Sequence, residues 1–159
     1  MDLHTTLSRQ RGHVLDCVAG LSEADLHRPV LPSGWSCLGL INHLAHDVEL
    51  FWFRAVLGGQ QEAIDELAVT ADAWQVAPET PSDLVLEGYR RQIAHADAVI
   101  AATDPDAGLA WWPEGHFGDW RLTSRHQVLL HVITETARHA GHLDATRELI
   151  DGRQWLVQA

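Results

Sequence analysis

The chain has 159 residues, 46% hydrophobic and 21% charged, which fits one globular domain over 1–159 and argues against disorder. Twenty-two acidic against 11 basic residues give a formal charge of −11, a balance opposed to phosphate binding, so nucleic acid is not an expected partner. Every basic residue is an arginine, which rules out lysine nucleophiles and Schiff bases.

Read in chain order, the N-terminal segment MDLHTTLSRQRGHV has no apolar core of the signal-peptide kind. No run of about 18 apolar residues follows, so no membrane span is expected and the protein reads as cytoplasmic. Leu3, Leu7, Val14, Leu15 and Val18 recur at helical spacing and predict a first helix, with Gly20 as its stop. Ser22 with Asp25 is a capping pattern that opens a short helical turn. Pro29, Pro32 and Gly34 mark a loop, and Ser36 caps a second helix from Cys37 to about Leu57, ended by Gly58 and Gly59. Ala63 to Ala68 reads as a short helical piece, and Trp74 lies in a loop-like run.

Pro81, Ser82 and Asp83 open a third long helix that runs to about Thr103. Residues 104–122 hold three tryptophans, Trp111, Trp112 and Trp120, and read as an ordered aromatic loop or a short hairpin. Ser124 caps a fourth long helix that runs to about Asp151 and stops at Gly152. The expected fold is all-α, a four-helix bundle with a long crossover. Cys17 and Cys37 are too few for a disulfide framework and sit in apolar helical patterns, as packing residues do.

Histidine is unusually frequent, at 11, and raises the expectation of metal or acid–base chemistry. On the fourth helix His131, Glu135, His139 and His142 lie on one stripe beside Leu130, Val132, Ile133 and Leu143. A carboxylate on such a stripe needs a partner, an ion or solvent. Glu135 and His139, four residues apart, place an oxygen and an imidazole where one ion meets both. The second helix offers His43, His46 and Glu49. Three ligands from two helices with one open position make a catalytic type of metal site. The alternative is plain: histidines on apolar faces are commonly hydrogen-bonded core residues. No Walker, Rossmann, nucleophile-elbow or His-Glu-x-x-His pattern is present.

Two segments carry a family likeness: SGWSCLGLINHLAHDVELFWFRAVLGG (33–59) and HVITETARHAGHLDATRELIDG (131–152). With them the chain resembles the DinB-like superfamily of metal-binding four-helix bundles, which includes the mycothiol-dependent maleylpyruvate isomerase N-terminal domain. Gly34-Trp35, followed by His43, is similar to that family's second-helix signature. On the fourth helix the family usually has His-x-x-x-His followed by Arg-Gly-Gln. Here Glu135 and His139 take the two ligand places, and Ala140-Gly141-His142 replace Arg-Gly-Gln. The isomerase branch itself uses Glu-x-x-x-His. The resemblance therefore implies a ligand set of His43, Glu135 and His139 for a divalent ion. Zinc is favoured, with nickel, iron or manganese as alternatives. It also implies a homodimer and a small-molecule substrate.

Activity follows from that likeness rather than from the pattern itself. The leading expectation is thiol transfer or isomerisation on a small electrophile, with a low-molecular-weight thiol such as mycothiol as cofactor. In that scheme His131 or His142 carries protons or orients a metal ligand, Arg138 or Arg121 holds a substrate carboxylate, and Trp111, Trp112 and Trp120 are able to line the mouth. Plugging one end of the bundle is the favoured role for these tryptophans. A hydrolase with Glu49 as base, and a non-catalytic metal-binding or stress-associated dimer, remain open readings.

Overall fold

The computed structural model describes residues 2–70 and 72–155. Helix α1 (Leu3–Val18) begins at Asp2, whose carboxylate accepts the Thr5 amide, and ends two residues before Gly20. Helix α2 (Glu23–His27) is capped by Ser22, which accepts the Asp25 amide. Helix α3 starts at Ser36, whose hydroxyl accepts the Gly39 amide, and runs through Cys37–His43. It continues directly into Leu44–Leu57, with helical angles at His43 and Leu44. Then follow α4 (Gln61–Val69), α5 (Ser82–Ala102) and α6 (Arg125–Asp151). Ser124 caps α6 by accepting the Gln127 amide, and Gly152 closes it at φ 79°, where only glycine is unstrained. Among the described residues there is no β-strand, so the 104–122 segment is a loop and not a hairpin.

The second half of α3 departs from ordinary helical winding. Leu44–Leu57 is wound as a π-helix, whose hydrogen bonds span five residues; at its end the Gly58 amide donates to the Phe53 carbonyl at 2.9 Å. This changes which residues share a face. At the α-helical advance of about 100° per residue, Trp52 would stand about 180° from His43. With the wider winding, His43, Asp47, Val48, Phe51 and Trp52 all line one cavity.

The core lies where α1, α3, α5 and α6 meet. Leu7 and Val14 of α1, Leu38, Ile41, Leu44 and Phe53 of α3, Tyr89 of α5, and Val132 and Leu143 of α6 are fully buried. Each of the aliphatic side chains and Phe53 contributes about 1.5–3 kcal/mol by leaving water. Helix α1 packs along α6, and the π-wound part of α3 packs on both α5 and α6. The aromatic loop is tied to that same stretch: the Ala110 and Trp111 amides both donate to the Val56 carbonyl at 3.1 Å. A carbonyl near the end of the helix is thereby satisfied by the loop that carries Trp111. No helix of the described residues is long and apolar enough to cross a membrane.

Candidate functional site

The site starts at His43, the last residue before the π-wound stretch. Its Nδ1 lies 2.8 Å from an Asp47 carboxylate oxygen. Its ring stacks on the Trp74 indole, with centroids 4.1 Å apart and planes 19° from parallel. Two features hold Trp74 there. Asn42 Nδ2 donates to the Ala73 carbonyl at 2.8 Å. Gly39 has no side chain, and a Cβ at that position would collide with the Trp74 carbonyl oxygen. Glycine in this helix is therefore a requirement of close approach.

Helix α6 supplies the opposing groups. The buried His139 ring meets His43 edge-on at 5.0 Å. Its Nε2 is 3.6 Å from one Glu135 oxygen, while the other Glu135 oxygen accepts from Arg138 Nη1 at 2.6 Å. His139 Nδ1 is buried with no hydrogen-bond partner. Burial first, and the neighbouring His43 second, lower the His139 pKa from 6.5 to about 4. The ring is thus neutral near pH 7, with a nitrogen lone pair to offer.

A cavity of about 680 Å³ adjoins these groups. Its polar lining comprises His43, Asp47, His116, His131 and Glu135. Its apolar lining joins four aromatic rings, Phe51, Trp52, Trp111 and Phe117, to aliphatic groups such as Val48, Ile64 and Leu67. His131 packs at 4.5 Å from the Trp52 ring and 5.4 Å from the Trp120 ring. Burial lowers its pKa, so it too is neutral at pH 7.

The structure sets His43, His131 and Glu135 on one cavity, with His139 outside its lining but against both His43 and Glu135, and it places several other expected site residues elsewhere. His142 is exposed, with its ring 5.5 Å from that of His139. Arg138 is engaged by Glu135 and Arg121 by Glu114, and neither lines the cavity. Trp111 lines it. Trp112 is buried behind the wall, against Trp52 and Phe117. Trp120 is 45% exposed at the rim of this cluster.

Glu49 lies outside the cavity lining altogether. It is fully buried, and Arg11 Nε and Nη2 bind its two oxygens at 2.7 and 2.6 Å. Burial pushes its pKa up, the Arg11 charge opposes that shift, and the bidentate guanidinium fixes both oxygens. A carboxylate so held has no free oxygen to serve as a base. Sequence reasoning passed over Asp47, Trp74, Phe51, His116 and Phe117. Only Asp47 carried a local signal, standing four residues after His43.

The donor set is chemically suited to a divalent ion: two imidazoles and a carboxylate, with one orphaned buried nitrogen on His139. Asp47 on His43 Nδ1 is the carboxylate–histidine arrangement that orients a ligating imidazole through its Nε2. The one cluster of three metal-capable donors drawn together among the described residues is a different one, His13, Cys17 and Asp144, within 4.8 Å of one another; His43, Glu135 and His139 do not make such a cluster.

Facing helices that carry imidazole and carboxylate groups beside an aromatic cavity place the molecule among helical proteins with a polar centre between helices. More particularly, the sequence matches the family described as MST, mycothiol-S-transferase, over residues 2–152, and the chain belongs to that family, which is DinB-like. No curated protein and no solved structure matches it.

Proposed function

We propose that the protein is a metal-dependent mycothiol S-transferase acting on small, uncharged, largely aromatic electrophiles, with His43, Glu135 and His139 as the metal ligands. The family match supports the thiol and the transfer. The carrying observation is the cavity that joins His43 and Glu135 to a wall of Phe51, Trp52, Trp111 and Phe117. We take the four long helices as a DinB-type bundle in one domain, with α4 and the segment before α5 forming the long crossover.

A divalent ion held there supplies the Lewis acidity that ionises a thiol near neutral pH. The chain's own residues do the rest. Asp47 orients the His43 ring, and burial keeps His139 in its ligating, neutral form. His131, also neutral, accepts the thiol proton. The sulfur forms a bond to the electrophilic carbon as that carbon's bond to its leaving group breaks. The leaving group departs with the electron pair, and His131 passes its proton to solvent. The aromatic wall holds the electrophile by stacking and excludes water.

Charge selects the substrate. Among the described residues no arginine lines the cavity, and the sequence has no lysine. An anionic substrate therefore finds no guanidinium or ammonium anchor in the wall, and a neutral one fits the apolar lining. Arg138 and Arg121 are accordingly not carboxylate anchors in this reading. A hydrolase reading loses its base, because Glu49 is taken up by Arg11.

The test pairs metal content with turnover in untagged protein. About one ion at this site is expected in the parent and none there in His43→Ala or His139→Ala. Conjugation of mycothiol to a neutral aryl halide should fall by about 100-fold or more in both variants. Undiminished conjugation in both would overturn the assignment.

A further inference from the structure

We propose a second metal site, outside the cavity, in which His13, Cys17 and Asp144 clamp α1 to α6 around a borderline-soft divalent cation of the zinc type. His13 and Cys17 are four residues apart on α1 and so share one face. Asp144 meets them from α6. Its Oδ1 lies 3.0 Å from His13 Nε2 and 3.0 Å from Cys17 Sγ. All three donor atoms fall within 4.8 Å of one another. Around a tetrahedral zinc, neighbouring donors of these kinds stand about 3.3–3.6 Å apart. The two contacts to Asp144 need to open by only about half an ångström.

The surroundings suit an ion. Trp155 stacks flat on the His13 ring at 4.3 Å and 25°, which fixes the ring plane while leaving its edge toward Asp144. Cys17 is buried and His13 half-buried. A second cavity of about 460 Å³, lined by Arg9, Gln10, Gly12, His13, Asp16 and Trp155, opens the His13 side of the site to solvent; Cys17 and Asp144 lie outside its lining. Sulfur, nitrogen and oxygen donors together favour zinc-like ions over calcium or magnesium.

Binding is coupled to a proton. Without an ion, burial and the hydrogen bond to Asp144 raise the Cys17 pKa steeply, and the group is a thiol. Loading breaks the Cys17 S–H bond, forms a sulfur–metal bond and releases one proton to solvent. Asp16 and Arg153 act on that sulfur with opposite signs. The chemistry differs from that proposed at His43, Glu135 and His139, which has no sulfur ligand.

Cobalt(II) titration of the untagged, reduced protein tests this independently of the cavity and of turnover. A thiolate-to-cobalt charge-transfer band should appear and saturate at one cobalt–sulfur site per chain. It should disappear in Cys17→Ser and in Asp144→Asn, survive in Cys37→Ser and His43→Ala, and be displaced by zinc. Circular dichroism checks that each variant is folded. Retention in Cys37→Ser identifies the sulfur even if Cys17→Ser fails to fold. Absence of the band in the parent, or its survival in Cys17→Ser, would overturn the second site. Neither result bears on the first.

Discussion

Glu49 and Glu135 are both paired with arginine, yet they are opposite cases. Glu49 is buried, both its oxygens are bound by Arg11, and Arg11 uses a third nitrogen on Asp97 at 2.7 Å. Every nitrogen of that guanidinium and both carboxylate oxygens have a partner. Glu135 is partly exposed to the cavity; one oxygen is bound by the exposed Arg138, and the other lies 3.6 Å from a neutral imidazole. A completely paired polar group holds a fold together, whereas one with unused capacity beside a cavity marks a place for a ligand.

The sharpest way to break that comparison is Glu49→Leu. It leaves Arg11 Nε and Nη2 without partners in the core, with Asp97 alone opposing the charge, and should cost about 3–5 kcal/mol, read from urea denaturation. A loss under about 1 kcal/mol would mean that the pair is not structural. Next in size, Asp47→Asn should weaken metal binding by about 10–100-fold in competition with a chelator while leaving the urea midpoint in place.

A smaller and more gradual effect comes from pH. In metal-free protein, folded His139 binds its proton only near pH 4, while the unfolded chain binds it near 6.5. The His139 contribution is therefore complete above about pH 6.5 and is lost as pH falls toward 4. Denaturation midpoints across that window should decline less steeply in His139→Gln than in the parent. An identical slope would show that the ring is not held neutral. Smallest of all, Arg138→Gln removes an exposed partner and should change stability by under about 0.5 kcal/mol. A larger loss would make Glu135 a structural group like Glu49.

Much of the helical framework was written locally. Ser22, Ser36 and Ser124 each cap the helix that follows, and Gly152 ends α6, because these are short-range hydrogen-bond and backbone preferences. The fourth-helix stripe also placed Glu135 and His139 as neighbours correctly. Other features depended on distant chain. Arg11 stands 38 residues before Glu49, and nothing near Glu49 announces such a partner. Trp74 reaches His43 only because Gly39 and Asn42 receive its backbone segment. The π winding was hidden for another reason: a period search tuned to 3.6 residues puts Trp52 and His43 on opposite faces.

The distribution of indole rings makes the protein its own optical probe. Trp52, Trp112 and Trp120 lie within about 6 Å of one another, close enough to share excitation, and Trp52 and Trp111 wall the cavity. Trp35 and Trp74 form a second pair, beside His142 and His43. Of the seven tryptophans only Trp155 stands on His13. A quencher entering the cavity would therefore dim the shared emission, whereas one between α1 and α6 would meet Trp155 first. Occupancy of the two regions can be followed as separate components of one fluorescence decay, with no label attached.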